Sequence, residues 1–370
     1  MNATLMAILM LVSTAVAQDT PPDRSHHALS VGLEVVRKHG NDPDNPWGLG
    51  HAMLALGKDH RASDGRPAWR AVLEDNSDIV TIDEQKVVVL GPGEPTRRID
   101  PHPNAFLMIL KVAGVPNDAT FERHGDEYTI DSLVQGAKLL YDRPQTADDW
   151  LKSAWTLRAL SLSLPPGRDK WQTNSGEQIS LFEELDRGLA YLEHQHSFAE
   201  QRLGSDEEGL EKHRQYIYAH SCGGLHLFTA ALAHLVHPEA RALYGERAER
   251  QVDILAWRLA EEHNLYGAIA PGREGGAAVL VTIQRLKVFG HSLEALSDLT
   301  LGGAIRPRPE LLSDLRAWTI DAILDLQTGR VYDAMPKLRE SQPQSFLDLL
   351  GDTSHAVRGL RLSERILEEK

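Results

Sequence analysis

Six short segments of small residues, most of them carrying a histidine, recur along this chain. They read Gly50-His51-Ala52-Met53-Leu54, Pro101-His102-Pro103-Asn104-Ala105, Ser153-Ala154-Trp155-Thr156-Leu157, His220-Ser221-Cys222-Gly223-Gly224, Gly290-His291-Ser292-Leu293-Glu294 and Ser354-His355-Ala356-Val357-Arg358. Their spacing runs from 51 residues (His51 to His102) to 71 (His220 to His291), room for one helical hairpin with its loops. The recurrence is one of structural units, not of a repeated sequence. It constrains the chain to pairs of helices, with one member of each pair presenting small residues and histidine to a shared interior.

Apolar periodicity places the pairs. Ala28–His39 precedes Trp47–Leu56, and Pro67–Glu74 precedes Asn104–Ala113. Ile130–Tyr141 precedes Asp148–Leu164, which opens on Thr146-Ala147-Asp148-Asp149, a capping box with aspartate in the reaching position. Ser180-Leu181-Phe182-Glu183 reads as a second capping box and starts a helix towards Glu200, followed by Ala219–Leu235. Glu239–His263 precedes Ala277–Leu299, and Pro309–Gln327 precedes His355–Leu367. The second member of each pair is the more apolar, so it belongs inside, while helices such as Glu239–His263 keep a charged face for water. One extended region interrupts the pattern: Asp78–Ile82 and Lys86–Leu90 flank a polar turn and read as a β-hairpin. The expected fold is mainly α, an (α/α)6 toroid-like ring of helical hairpins with one small β-hairpin insertion. A right-handed superhelix of stacked pairs is the competing layout.

Residues 1–17 have the pattern of a secretory signal peptide, with an apolar run Leu5 to Val12 and Ala15-Val16-Ala17 before Gln18, although the segment lacks lysine and arginine. Residues 18–370 then form a single helical domain, periplasmic or secreted. No later stretch has the ~18 consecutive apolar residues of a membrane span. The net charge of −14 disfavours nucleic acid and anionic membrane surfaces as partners. Cys222 is the only cysteine, so an intramolecular disulfide is excluded and burial is its ordinary fate. The sequence leaves the oligomeric state undefined.

If the inner helices begin at one mouth, their N-terminal N–H groups favour bound anions and neutral imidazoles. His291 and Glu294, three apart, share a helix face, and the carboxylate can fix the imidazole tautomer. Arg358, three after His355, can grip a carboxylate or a sugar hydroxyl. Cys222 and His226, four apart, share a face if the segment is helical; with His220 they form a candidate zinc or other divalent transition-metal site needing further ligands from distant histidines. Each of these residues taken singly is more simply a structural side chain. His51, His102, Trp47, Trp155 and Tyr218 are candidate substrate-binding groups, the aromatics for stacking on sugar rings, though tryptophan at helical spacing is more often core. Asp42, Asp44 and Asn45 lack the glycine and distal glutamate of a calcium loop. The sequence contains neither a nucleophile elbow nor a phosphate or dinucleotide loop.

Gly290-His291-x-x-Glu294 and His355-x-x-Arg358-x-Leu360 resemble the two histidine motifs of the N-acylglucosamine and cellobiose 2-epimerases, which are (α/α)6 barrels. The resemblance covers about 20 residues, and the two motifs stand one hairpin apart here rather than two. It implies an acid/base pair, His291 and His355, supported by Glu294 and Arg358, with no cofactor required. The expectation is an exported enzyme acting as isomerase, lyase or hydrolase on a carbohydrate or cell-wall fragment, a small-molecule or oligosaccharide substrate. A Cys/His metal-binding protein and a non-catalytic helical scaffold for an envelope partner are the alternatives.

Overall fold

The computed structural model describes residues 22–368 apart from 83, 95–96, 166, 204, 206–208 and 271–275. The expected signal peptide, residues 1–17, lies outside the described residues. The protein is mainly α, with thirteen α-helices among the described residues. They are α1 Pro22–His39, α2 Pro46–Leu56, α3 Ala68–Asn76, α4 Ala105–Val112, α5 Ile130–Leu139, α6 Ala147–Ser163, α7 Leu181–Arg202, α8 Leu225–Leu232, α9 Pro238–Ile269, α10 Gly276–Leu301, α11 Pro309–Thr328, α12 Met335–Ser341 and α13 Pro343–Glu368. No described helix is long and apolar enough to cross a membrane.

Local chemistry sets several helix starts. Asn45 caps α2 by accepting from the Gly48 N–H at 3.0 Å, and Pro46 occupies the first turn, where its missing N–H costs nothing. The expected capping box opens α6: Thr146 Oγ1 accepts from the Asp149 N–H, and the Asp149 carboxylate accepts from the Thr146 N–H at 2.8 Å. Ser180 caps α7 at the Glu183 N–H.

Burial separates two kinds of helix. From Leu286 to Leu299, α10 is buried on nearly every side, and so is α13 from Leu349 to Val357. In α9 the buried residues form one stripe, including Ala248, Val252, Leu255, Leu259, Glu262 and Tyr266, as expected of a helix with one wet face. The helices bearing the recurrent segments touch in a closed cycle: α2 with α4, α4 with α6, α6 with α8, α8 with α10, α10 with α13, and α13 with α2. The others flank them: α1 on α13 and α11, α3 on α2, α5 on α6, α7 on α8 and α9, and α9 and α11 on α10.

The seam between α10 and α13 matters most for the site. A Cβ on Gly290 would lie 3.0 Å from Ala356 Cβ, and one on Gly359 would lie 2.8 Å from the Glu294 backbone nitrogen. Small residues therefore let the two backbones approach. Side-chain pairs advance in the same direction on both helices, His291 with Asp352, Glu294 with His355 and Asp298 with Arg358, so α10 and α13 run parallel.

Three expectations need correction. Among the described residues, four two-stranded antiparallel hairpins occur where one was expected. The expected one is β1 Ser77–Ile82 with β2 Gln85–Leu90, in register from Ser77–Leu90 to Ile82–Gln85. The others, β3 Gly93–Glu94 with β4 Arg97–Arg98, β5 Thr120–Arg123 with β6 Asp126–Thr129, and β7 Lys170–Gln172 with β8 Gln178–Ser180, are too short to leave a period-two signature.

Secondly, His355 does not begin a helix. Thr353 and Ser354 resemble a cap, but their hydroxyls donate to the carbonyls of Leu349 and Leu350 at 2.7 and 2.8 Å, satisfying themselves inside α13. His51, Trp155 and His291 also lie within helices, so the inner helices do not bring a ring of N-termini to the histidines.

Thirdly, Ala219–Leu235 is not one helix. Short 3-10 turns, Tyr216–Ala219 and Ser221–Gly224, precede α8, because Cys222, Gly223 and Gly224 adopt left-handed backbone with φ of 52°, 64° and 80°.

Candidate functional site

The closed cycle of helices surrounds a pocket lined by side chains from all six of them. Leu54 comes from α2, Met108 from α4, Trp155 and Arg158 from α6, His226 and Thr229 from α8, His291, Glu294 and Asp298 from α10, and His355 from α13. The space at its centre is about 40 Å³, and about 510 Å³ when the part open to solvent is included. A water needs roughly 10–15 Å³ of such central space, so the core of the pocket holds a few waters or the reacting atoms of a larger molecule seated at the mouth.

Two parallel helices supply the densest chemistry. The rings of His291 and His355 lie 3.7 Å apart at an interplanar angle of 31°. His355 Nδ1 donates to Glu294 Oε2, which leaves Nε2 as the ring nitrogen not engaged by that carboxylate. Arg358 Nε donates to the other oxygen of Glu294 at 2.8 Å, and its NH2 group donates to Asp298 Oδ1 at 2.8 Å. Arg158, reaching over from α6, donates to Asp298 Oδ2. Burial alone would raise the Glu294 carboxyl, but His355 and Arg358 outweigh it and hold the group down at about 2. Glu294 is therefore an anion fixed between an imidazole and a guanidinium.

On the other side of His291, Nε2 lies 3.1 Å from Asp352 Oδ1 and 3.7 Å from Cys222 Sγ. Ligand atoms of Cys222, His226 and His291 all fall within 4.8 Å of one another, the spacing of a Cys/His metal site. His226 is lowered to about 3 by burial and by the neighbouring His355, and His291 is lowered well below its ordinary value for the same reasons, so both imidazoles are neutral. Burial, and then the Asp352 carboxylate, push the Cys222 thiol up to about 12. Burial raises Asp352 to about 7 despite the Lys287 ammonium 3.7 Å away.

The backbone at Cys222 is placed from outside the pocket. Arg258 NH2 on α9 donates to the Gly223 carbonyl at 3.0 Å, and its NH1 group donates to His196 Nε2 at 2.8 Å. His196 Nδ1 in turn donates to Gln251 Oε1 at 2.7 Å. A left-handed non-glycine residue costs of order 1–3 kcal/mol and persists only where its surroundings determine it. The Arg258 bond to the next carbonyl is such a determinant.

The residues singled out from the sequence divide into groups. His355, Glu294 and Arg358 come together as one hydrogen-bonded unit, and the His291 ring lies against that of His355; Glu294 accepts from His355 on the neighbouring helix and not, as expected, from His291, whose Nε2 lies against Asp352. His51 joins them, its ring 5.5 Å from that of His355; its Nδ1 donates to the Trp47 carbonyl at 2.9 Å and burial lowers it to about 3. Trp47 lies against His51, the ring centroids 3.9 Å apart and the planes tilted by 44°. Trp155 lies against His102 (3.9 Å, interplanar angle 2°) and His226 (4.8 Å); only 5% exposed, it offers no open face for a sugar ring. Tyr218 is elsewhere: its hydroxyl donates to Glu262 on α9, which also accepts from Lys212 at 2.7 Å. His220 points to Tyr191, with Nε2 3.3 Å from the hydroxyl oxygen, and is not in the Cys222–His226 group. Cys222 is not helical, yet its thiol still approaches His226, now through the left-handed turn rather than a shared helix face.

Asp298, Arg158, Asp352 and Lys287 were not singled out from the sequence. A usable signal existed for Asp298, which follows His291 and Glu294 on one α10 face at i+7. Arg158 is 140 residues away from its partner, and no local pattern connects the two. Comparison of the chain with family models, curated proteins and solved structures found no match.

Proposed function

We propose that this chain is an (α/α)6-toroid enzyme, exported to the periplasm or the medium, that performs acid/base chemistry in its central histidine-lined pocket. The carrying observation is the unit His355–Glu294–Arg358 facing His291 at that pocket. The closed cycle of inner-helix contacts supports the toroid reading, and the segment at residues 1–17 supports export.

The chemistry follows from the hydrogen bonds. Glu294 holds the Nδ1 proton of His355, so Nε2 accepts a proton from a bound molecule, and the imidazolium that forms sits beside a carboxylate. Arg358 keeps that carboxylate ionised and stationary. His291, neutral and in ring contact, donates or accepts on the opposite side. Such a pair removes a proton from carbon or from water and returns it, which serves isomerisation, elimination or hydrolysis. The substrate class, a carbohydrate or cell-wall fragment, rests on the motif resemblance of Gly290–Glu294 and His355–Arg358. The size of the pocket is compatible with a ring held at the mouth and only its reacting carbon at the centre.

Incubation with reducing sugars, N-acetylated sugars and muropeptides in heavy water tests this by deuterium incorporation and product analysis. His355→Ala is expected to lower turnover by about 10²–10⁴-fold while circular dichroism stays native. Undiminished turnover in a folded His355→Ala protein would remove His355 from the chemistry and the reading with it.

A further inference from the structure

We infer that Cys222, His226 and His291 bind one divalent transition metal of the zinc class at the wall of the central pocket, leaving an open coordination position on the pocket side, where His226, His291 and His355 line it. This deepens the enzyme reading above and rests on the same pocket, but it transfers His291 from proton transfer to ligation. Geometry carries it. Zinc bonds of about 2.3 Å to sulfur and about 2.05 Å to nitrogen, at a tetrahedral angle, set the two donors about 3.6 Å apart. Cys222 Sγ and His291 Nε2 are 3.7 Å apart. The third donor, on His226, falls within the same 4.8 Å limit. One thiolate and two imidazoles suit zinc or cobalt rather than calcium or magnesium, which take oxygen donors.

Independent features point the same way. Asp352 is 3% exposed, and its Oδ1 is 3.1 Å from His291 Nε2. Its Oδ2 is buried and makes no close hydrogen bond, facing the Lys287 ammonium at 3.7 Å. A buried carboxylate beside a Cys/His cluster supplies negative charge that would balance a bound cation; its contact is with Nε2 itself, so metal binding there replaces the Nε2–Asp352 hydrogen bond. Cys222 is held in left-handed backbone with Arg258 donating to the Gly223 carbonyl, and its thiol stands 3.7 Å from His291 Nε2. Three protein donors beside a space of about 40 Å³ leave room for a water. Such a metal supplies acidification of a bound water or polarisation of a carbonyl oxygen. His355, oriented by Glu294, then stands as the one base at the open position.

The test uses the full chain, purified without chelator and separately reloaded with zinc or cobalt(II). Elemental analysis is expected to give about one metal per chain, and the cobalt form to show tetrahedral visible bands with thiolate charge-transfer absorption. Cys222→Ser, nearly isosteric, should lose the charge-transfer band. His226→Ala and His291→Ala should weaken metal affinity by at least about 10–100-fold. His355→Ala should retain metal and band while losing turnover. Failure of the wild-type protein to take up either metal, or equal uptake by wild type and Cys222→Ser without the thiolate band, would overturn the metal assignment. That outcome would leave the His355 reading standing, since its own test is turnover in His355→Ala.

Discussion

Protonation of His196 should release the support beneath the Cys222 turn, and the structure sets its size. The ring is 1% exposed. Nδ1 donates to Gln251 Oε1, while Nε2 accepts from the Arg258 guanidinium. A proton on Nε2 would break the Arg258 bond and set two cations against each other, with His220 adding to the penalty. Burial first, and then Arg258, lower His196 from 6.5 to about 3. The unfolded chain therefore binds a proton below about pH 6.5 that the folded protein refuses, and stability falls as pH drops through that window towards 3. Each pH unit is worth about 1.4 kcal/mol, so acidification to about pH 5 costs about 2 kcal/mol through this one residue. Other buried histidines push in the same direction, so the comparison must be with His196→Gln, whose amide oxygen can still accept from Arg258. Urea unfolding of both proteins at neutral pH and at about pH 5 measures the difference. The wild type should lose about 2 kcal/mol more than His196→Gln on acidification. Equal losses would show that His196 titrates freely in the folded state and refute the reasoning.

Two further substitutions probe how the site is supported. Gly359→Ala places a methyl 2.8 Å from the Glu294 nitrogen, so the α10–α13 seam must open, at a cost of about 1–3 kcal/mol in thermal or urea unfolding, with turnover falling as the His355–Glu294 contact loosens. Thr146→Ala removes the α6 cap and should cost about 1 kcal/mol of stability while leaving metal affinity unchanged.

The outer framework of the protein is a cationic and anionic lattice rather than a catalytic one. Glu184, with no exposed side-chain area, accepts from Tyr141, Arg143 and Arg187. Glu262 collects Lys212, Tyr218 and Tyr266. Each buried carboxylate has several donors, which is the condition for keeping a charge out of water. These clusters tie α7 to the loops before it and α9 to the 3-10 turns that precede Cys222, so their role is positional.

Much of this architecture was legible along the chain because it is written locally. Helix pairs, the Thr146 and Ser180 starts and the Asp78–Leu90 hairpin follow from apolar periodicity, capping chemistry and β-branched runs, all decided within a few residues. That His291 and Glu294 share one helix and His355 and Arg358 another was equally local, but the bonding was not: Glu294 accepts from His355 and Arg358, and His291 lies against Asp352. What failed locally was Ser354-His355, read as a helix start, because a hydroxyl that bonds back to its own helix has the same sequence as one that caps the next. The left-handed turn at Cys222 failed similarly, since its determinant, Arg258, lies 35 residues from Gly223.

The order of the residues determined that this chain makes paired helices with small residues and histidines on the inner members. Only the tertiary structure decided which histidines meet. His226, His291 and His355 share a pocket and His220 does not, because backbone conformation at three residues and the close approach of α10 to α13 fix the side-chain directions. Those contacts join segments 64 (His291–His355), 65 (His226–His291) and 129 (His226–His355) residues apart, and no local periodicity encodes them.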